Sequence, residues 1–371
     1  MLTPADDYPI HQTADPVAHP SSGDRNHYDR YFFNGHTRDG SLFFAAAMGF
    51  YPNRQVVDGA FSVVHDGVQR SVLASGRIPL DRQQTSVGPV RIEVVEPLRV
   101  LRLVVDDRDG GIQADLRYTA RSAAWQEPRF TRHAHHTRLT MDYTRLTQWG
   151  RWSGWIEVDG ERHEITPAEF VGVRDRSWGI RSVGEPEGGV PPSGLPQFYW
   201  LWAPLHFDDR CVHFAFNDSA GGIPWYSSGV VLPDVGDGPT WGPDAPGEEM
   251  GRARPDVVWR PGTRRADRAR LSMEPWRDAP FEIELEPLVE FQMRGVGYFH
   301  PEFRHGSWIG EQAVTHDTVT LAELDPLEFD NLHIQAVVRA RLGDQVGVGV
   351  LEQLVIGPHE PSGFQGLADG A

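Results

Sequence analysis

The sequence contains no lysine, since all 35 of its Lys-or-Arg positions are arginine. The absence excludes Schiff-base catalysis and the phosphate-binding lysine of P-loop and kinase sites. Cysteine is nearly absent as well, and with Cys211 alone no intrachain disulfide can form, which is typical of a reducing compartment. No run of about 18 apolar residues is present, so we expect no integral membrane segment. Residues 1–20 lack the layout of a signal peptide, and the expected location is cytoplasmic.

Positive charge is scarce overall, and the formal net charge is −17. A surface this acidic repels phosphate backbones and anionic lipids, so we expect no nucleic-acid partner. The nucleophile-elbow, dinucleotide-binding, Walker A and C-x-x-C motifs are all missing, and we expect no cofactor. What the chain does have is twelve tryptophans, which predict aromatic-rich cores or pockets suited to an apolar ligand.

Alternation of apolar and polar residues with a period of two dominates the chain. It is clearest over residues 112–119, 281–286 and 333–340, and each run predicts a half-buried strand. Residues 106–111 read as a hairpin turn, and Asp159-Gly160 is a favoured pair for a tight turn. Only residues 166–170 and 320–324 look locally helical. The predicted class is therefore all-β, with few short helices.

A chain of 371 residues is long enough for two domains with separate cores. Residues 185–196 combine Gly-Gly and Pro-Pro pairs that cannot hold a strand ladder. Each half opens with an aromatic strand, an acidic turn and a second aromatic strand, which favours two similar domains. A loose loop is predicted over residues 233–255. The predicted organisation is a flexible arm at 1–25, β-domains at 26–186 and 197–357, a linker at 187–196 and a loose tail at 358–371.

The first candidate motif, at residues 172–181, places Asp175 among three arginines, followed by Trp178. In a structural interpretation, guanidinium groups close a barrel end by binding carbonyls and stacking on the indole. In a functional interpretation, Asp175 is a buried carboxyl that moves a proton. The flanking arginines are then expected to lower its pKa, as suits a base.

The second candidate motif, at residues 295–311, concentrates titratable and aromatic side chains between two predicted strands. Loops of this composition often carry function. His300 or His305 could form an acid–base pair with Glu302 or Glu311. Alternatively, the glutamates cap backbone amides while the histidines pack on rings. His333 and Gln335, on one face of a later strand, are expected to point into the same pocket.

A third candidate is the cluster His133, His135 and His136, of which the first and second share a strand face. A third metal ligand would have to come from His163 or Asp142. Arginines flank the cluster and oppose a cation, so solvated polar residues are the preferred interpretation. Metal binding by the cluster is left open, and no metal is assigned.

The motifs at 172–179, 298–302 and 305–311, together with His333-x-Gln335, resemble the hydroxyneurosporene synthase (carotenoid 1,2-hydratase)-like family. The resemblance spans about residues 28–356. It implies two lipocalin-like (calycin-like) antiparallel β-barrel or sandwich domains in tandem. It also implies cofactor-free chemistry on an apolar, often isoprenoid, substrate held between or inside the barrels. Some members of the family are pericyclases.

The roles that this resemblance implies fall on residues of the three motifs. The proton donor would be Asp175, Glu302 or His305, and the base that activates water would be His300 or Glu311. Ring faces attract cations, so an aromatic wall would shield a carbocation. Its members would be Trp178, Tyr298 and Trp308. Arg304 departs from the smaller or aromatic residue expected beside His305.

The leading hypothesis is a hydratase, dehydratase or isomerase acting on an isoprenoid, terpenoid or steroid-like alkene. One alternative is a non-catalytic carrier, because a lipocalin-like barrel can bind an apolar ligand without transforming it. A second is a pericyclase or cyclase that works by shape and needs no single acid. The expected partner is a hydrophobic small molecule in each case, and a homodimer is left open.

Overall fold

A computed structural model describes residues 1–134, 137–183 and 196–371, and this part of the chain is built almost entirely of β-strands. The strands are β1 His27–Thr37, β2 Leu42–Tyr51, β3 Val56–His65, β4 Val68–Arg77, β5 Ser86–Val87, β6 Val90–Glu96, β7 Val100–Asp107, β8 Ile112–Ala120, β9 Trp125–Gln126, β10 Phe130–Ala134, β11 Arg138–Val158, β12 Glu161–Ile165, β13 Phe170–Arg181, β14 Phe198–His206, β15 Arg210–Asp218, β16 Pro224–Pro233, β17 Glu248–Trp259, β18 Ala266–Pro275, β19 Phe281–Gln292, β20 Gln312–Thr320, β21 His333–Leu342 and β22 Gln345–Ile356. Short 3₁₀ helices cover Pro4–Asp7, Pro52–Arg54, Met293–Val296, Leu321–Glu323, Phe329–Asn331 and Glu360–Ser362.

Fourteen strands form the first sheet, whose main path runs β20-β4-β3-β2-β1-β13-β11-β8-β7-β6-β5, with β9, β10 and β12 also paired to β11. The second sheet is a closed barrel in the order β14-β15-β16-β17-β18-β19-β21-β22. All of the pairings are antiparallel, as expected for hairpins joined by short turns. The predicted all-β class with two lipocalin-like barrel domains is confirmed.

The buried apolar side chains form three separate clusters. One cluster lies inside the first sheet and includes Phe44 and Trp152, and another lies inside the closed barrel and includes Phe214 and Leu271. Since side chains alternate across a strand, each sheet also has an outward face. The third and largest cluster joins outward faces of both sheets and contains Phe43 beside Phe291, with ring centroids 4.8 Å apart. The two barrels therefore share a core between them.

Strand β20 comes from the second half of the sequence but pairs with β4 along its whole length. It is the terminal strand of the first sheet's main path. The domain limits of 26–186 and 197–357 remain a prediction. Residues 312–320 fall within the second range but belong to the first sheet. Most of the predicted linker falls within residues 184–195, which lie outside the described residues.

Several local predictions are corrected. The tail is not loose, because Phe364 is buried and the Arg264 guanidinium binds the carbonyls of Gly357 and Asp369. The arm contacts the first domain, since Arg82 donates to the Ala18 carbonyl and Asn53 to the Ser22 carbonyl, and its flexibility stays a prediction. Part of the loop predicted at 233–255 belongs to β17, and residues 166–169 form a turn. No helix of the described residues is long and apolar enough to span a bilayer.

Candidate functional site

The candidate site lies on the outward face of three central strands of the first sheet. β13 lies between β1 and β11, and its Asp175 stands opposite Phe32 on one side and Thr147 on the other. Residues directly opposite each other in antiparallel strands share a face. One face of these three strands therefore carries a set of alternating residues. They are Tyr28, Arg30 and Phe32 of β1, Asp175, Ser177 and Arg181 of β13, and Tyr143, Arg145 and Thr147 of β11. This row faces the core between the barrels.

Asp175 is the carboxyl of this face. Burial raises the pKa of its carboxyl to about 6, and this effect outweighs the opposing charges of Arg145 and Arg30. The carboxylates of Glu352 and Glu127 raise the pKa further. Among the described residues, no hydrogen bond or ion pair to the Asp175 side chain is formed. A carboxyl that titrates near neutrality and is not engaged elsewhere can give or take a proton.

The expectation that neighbours in sequence lower the pKa of Asp175 is corrected. Arg174 and Arg176 alternate with it and therefore lie on the opposite face of the strand. Arg174 donates to the Gln148 side chain, and Arg176 forms an ion pair of 2.9 Å with Asp29. The arginines that do act on Asp175 come from neighbouring strands, and burial exceeds their effect.

A buried ion pair lies on one side of Asp175. The Arg145 guanidinium donates to both carboxylate oxygens of Glu127, at 2.8 and 2.5 Å, and Thr147 donates to one of them at 2.6 Å. Burial alone would raise the pKa of Glu127, but Arg145 and His213 hold it well below its usual range. Tyr226 of the closed barrel also donates to Glu127, at 3.1 Å. The pair thus connects the two barrels at this point.

Aromatic rings surround the Arg145 guanidinium. Its central carbon lies 5.1 Å from the ring centroid of Phe130, 4.8 Å from that of Trp200 and 5.6 Å from that of Trp202. Such ring faces attract positive charge. The rings therefore stabilise the charge of Arg145 itself, together with the Glu127 carboxylate.

The closed barrel contributes a second buried carboxylate, Glu352. It accepts hydrogen bonds from His333 at 2.9 Å, from Gln335 at 2.7 Å and from the Trp200 indole at 2.9 Å. Burial opposes its ionisation, but these donors hold the pKa of Glu352 below its usual value. The Gln335 oxygen accepts from the Asn34 amide of the first sheet at 3.0 Å. His333 and Gln335 therefore do face the interface, as the sequence predicts.

Tyr298 connects the second motif to this face. Its ring contacts those of His305 and His333, with centroids 4.5 Å away in each case. The central carbon of the Arg30 guanidinium lies 4.5 Å from the Tyr298 centroid, and that of Arg181 lies 5.5 Å from it. The predicted convergence of this loop with the later strand is present around Tyr298.

Unpaired polar atoms concentrate at the same place. Among the described residues, no hydrogen-bond partner reaches the hydroxyl of Tyr28, two nitrogens of Arg30, Nε2 of His305 or Nδ1 of His333. Buried polar groups without partners are costly, so several in one region are typical of a functional site.

His305 lies at the edge of the site as a neutral imidazole. Burial lowers its pKa to about 3, and the charge of Arg30 lowers it further, while Asp58, 3.7 Å from Nδ1, opposes the shift. Its surroundings therefore disfavour the charged imidazolium, and the role of His305 as an acid stays a prediction.

The predicted pairing of histidines with glutamates is also corrected. Nδ1 of His300 accepts two backbone N–H groups, from Glu302 at 3.2 Å and Phe303 at 2.8 Å. Nε2 therefore carries the proton and donates to Asp317 at 3.0 Å. Both nitrogens of His300 are used to fix the loop. Glu302 is exposed, and Arg304 points away to bind the His300 carbonyl at 3.1 Å.

Three other predicted residues lie on the surface. Glu311 forms an exposed ion pair with Arg77, and the exposed Trp308 ring stacks on the same guanidinium. Trp178 is 40% exposed and shares the face of Arg176, opposite to Asp175. The structure therefore brings together Asp175, Tyr298, His305, His333 and Gln335, and leaves Trp178, His300, Glu302, Trp308 and Glu311 outside this group.

The histidine cluster at 133–136 gives no metal centre in the described part of the chain. His135 and His136 lie outside the described residues. Asp142, one of the proposed third ligands, is instead engaged by the Arg129 guanidinium through two bonds of 2.6 Å. The other, His163, belongs to a different group of side chains at the mouth of the first barrel.

Sequence reasoning missed Arg30, Glu127, Arg145 and Glu352. Glu352 carries the clearest signal, since it interrupts the apolar run at residues 348–356. A charged residue within a buried strand is rarely unpaired. Arg30 gives a similar signal, because Tyr28 and Phe32 occupy the neighbouring positions of the same strand face, and Arg145 has Tyr143 on one side. Their convergence with Asp175 depends on strand pairing that no local pattern specifies.

Comparison with known proteins gives one family and several structures. Residues 2–365 match a family described as "Family of unknown function (DUF8625)". No curated protein matches the sequence. Kievitone hydratase from Nectria haematococca is similar in structure, with a TM-score of 0.51, 13% identity and 88% of each chain covered. A putative ATTH from Nitrosomonas europaea has a TM-score of 0.52, 12% identity and coverage of 88% of this chain and 92% of that one. At these identities the likeness is one of fold.

Proposed function

We propose that this chain, which belongs to a family of unknown function (DUF8625), is a cofactor-independent hydratase or dehydratase of an apolar alkene. The proposed catalytic residue is Asp175, and the proposed site is the interface between the two barrels. An isoprenoid, terpenoid or steroid-like substrate is the class that the aromatic surface suits. The motifs that resemble the hydroxyneurosporene synthase-like family support the same reaction type.

The observation that carries the proposal is the state of Asp175. Its carboxyl has a pKa of about 6 and no partner among the described residues, whereas Glu127 and Glu352 are held ionised by several donors. Carboxyls whose surroundings separate their pKa values divide into acid and anion roles. Protonated Asp175 is then the donor, and the two anions favour a positive charge that develops nearby.

In the hydration direction, the Asp175 proton goes to one alkene carbon and the π electrons form the new C–H bond. The other carbon becomes a cation, which aromatic side chains of the core between the barrels would stabilise. Water adds to this carbon, and its surplus proton returns to the Asp175 carboxylate. The sum is alkene plus water giving an alcohol, with the enzyme unchanged. Dehydration follows the same steps in reverse.

The shared fold with kievitone hydratase supports a hydratase without determining the substrate. The competing possibility of a carrier predicts that a bound ligand is released unchanged. A cyclase acting by shape predicts that no single carboxyl is essential. Neither alternative requires a carboxyl with a raised pKa. Experiment can distinguish each of them from a hydratase.

The test compares the wild type with Asp175→Asn and with Glu302→Gln as the matched control, because Glu302 is exposed and outside the site. Purified enzyme is incubated in D₂O with a panel of isoprenoid and steroid-like alkenes and the corresponding tertiary alcohols. Mass spectrometry of the products detects a non-exchangeable deuterium beside the new hydroxyl-bearing carbon. We expect Asp175→Asn to lose about 10²- to 10⁴-fold in rate, as for removal of a general acid. Glu302→Gln should keep its activity.

The pH dependence provides an independent check. If Asp175 donates the proton, hydration should slow as pH rises through about 6, because the donor is lost. Full turnover in Asp175→Asn would refute the assignment. Native mass spectrometry that finds an unchanged ligand, with no turnover of any alkene or alcohol, would favour the carrier instead.

A further inference from the structure

Two hairpin ends meet at one mouth of the first barrel, away from the interface site. β3 ends at His65, and the hairpin of β11 and β12 turns at Asp159-Gly160 and continues through Glu161 and His163. Glu161 and His163 are two residues apart in β12 and therefore share a face. That face is the barrel interior, because the next residue on it, Ile165, belongs to the first barrel's core. His65 likewise follows the inward Val63 by two positions.

The three side chains His65, Glu161 and His163 lie within reach of one another. Each offers a ligand atom, and these atoms all lie within 4.8 Å of one another. The two imidazole centroids are 4.7 Å apart with the rings at 62°, and Nε2 of His163 is 3.9 Å from a carboxylate oxygen of Glu161. Nε2 of His163 is covered from solvent, and among the described residues it has no hydrogen-bond partner.

We propose that His65, Glu161 and His163 form a binding site for a divalent transition metal ion, and Zn²⁺ is the expected ion. Two imidazoles and one carboxylate are a common donor set for such ions, which bind nitrogen and oxygen ligands at about 2.0–2.2 Å. Ligand atoms of one tetrahedral site are about 3.3 Å apart at these bond lengths, so the group must contract by roughly 1 Å. The exposed Glu161 side chain and the strand end at His65 permit this movement.

The local charges are compatible with a cation. Arg70, the nearby guanidinium, is neutralised by Asp159 at 2.5 Å. Arg162 alternates with the proposed ligands and binds Glu164 at 2.7 Å on the opposite face. The exposed Asp66 carboxylate lies 3.8 Å from His65 and can supply a further oxygen. The ion would join two hairpins that are distant in sequence and close the mouth of the barrel.

The test titrates the metal-free protein with Zn²⁺ in competition with a chromophoric chelator, and with Co²⁺ to follow its visible absorption. We expect a single site per chain, and a rise in melting temperature with Zn²⁺ because only the folded chain presents the site. His65→Ala and His163→Ala should each weaken Zn²⁺ binding by more than about 100-fold, beyond the loss of an outer-shell partner. Glu161→Gln, an isosteric change on an exposed side chain, should weaken binding and shift the Co²⁺ spectrum.

His11→Ala is the matched control, since His11 also lies beside a carboxylate, Asp6 at 2.9 Å, but near Phe50, at the end of β2 opposite to the one that pairs with His65. It should bind Zn²⁺ as the wild type does. Unchanged affinity in His163→Ala and Glu161→Gln would overturn the proposal. So would loss of binding on substitution of His133 rather than His65, because that would place the ion at the other histidine cluster.

Discussion

Replacing Asp175 with asparagine should stabilise the fold at neutral and alkaline pH while it removes activity. The folded-state pKa of about 6 lies above the ordinary value of 3.8, so ionisation of this carboxyl is penalised in the folded state. The penalty is absent well below pH 3.8, grows between 3.8 and 6, and is complete above 6. Asparagine has the same shape as the neutral acid but cannot ionise, so it avoids the penalty.

The size of the effect follows from the shift in pKa. About two pKa units at 1.36 kcal/mol each give about 3 kcal/mol at pH 7–8. The same relation gives about 0.5 kcal/mol at pH 4, where the carboxyl is protonated in the folded chain. The decisive quantity is the change with pH of the difference in unfolding free energy between the wild type and Asp175→Asn, because it follows from ionisation of this one carboxyl. A melting temperature higher by several degrees at pH 8 is expected.

The assay is reversible urea unfolding of the wild type and Asp175→Asn, followed by tryptophan fluorescence at intervals from pH 4 to pH 8. Glu302→Gln provides the control, since this exposed carboxyl should show no such trend. The difference in unfolding free energy between the wild type and Asp175→Asn should widen with rising pH. An unchanged difference across this range, or a less stable Asp175→Asn at pH 8, would refute the argument that burial dominates at this site.

Three further substitutions test the interface and the backbone. Glu352→Ala should lower the unfolding free energy by about 3–5 kcal/mol, measured by urea unfolding, because it leaves three buried donors without an acceptor; equal stability would contradict the network. Gly179→Ala should reduce the melting temperature strongly, since Gly179 has φ of 135° and an added Cβ would lie 2.3 Å from the Asp142 carbonyl oxygen; an unaltered melting curve would argue against this backbone conformation. Arg121→Met should lower the unfolding free energy by about 2–5 kcal/mol in the same assay, because buried Arg121 binds the Asp234 carboxylate and the carbonyls of Phe207 and Asp208. An unchanged unfolding free energy would show that these contacts do not stabilise the fold.

Much of the fold could be predicted from local pattern. Alternation located β8 and β21 to within two residues and the first half of β19. The turn at Asp159-Gly160 has both residues at positive φ, as its sequence requires. The tail was harder, because its order comes from single contacts such as Arg264 to the Gly357 carbonyl. The transfer of β20 to the first sheet was not predictable, since edge pairing leaves no mark in a strand's own sequence.

The site was only partly predictable, for a reason visible at Asp175 itself. Its arginine neighbours in sequence lie on the opposite face, and their charges act elsewhere. Burial raises its pKa most, and the charges that modify it, those of Arg145, Arg30, Glu352 and Glu127, come from other parts of the chain. A motif identifies the residue, whereas strand register determines which charges surround it.

Placing the reactive carboxyl between two barrels, rather than inside one, has a physical consequence. Each barrel interior is packed with its own apolar side chains. The carboxylate of Glu352, which raises the pKa of Asp175, belongs to the second barrel, while Asp175 itself belongs to the first. Burial of Asp175 likewise requires the shared core. The acidity of the proposed catalytic group is thus a property of the assembled pair of barrels, and any change that separates them should return Asp175 toward an ordinary carboxyl.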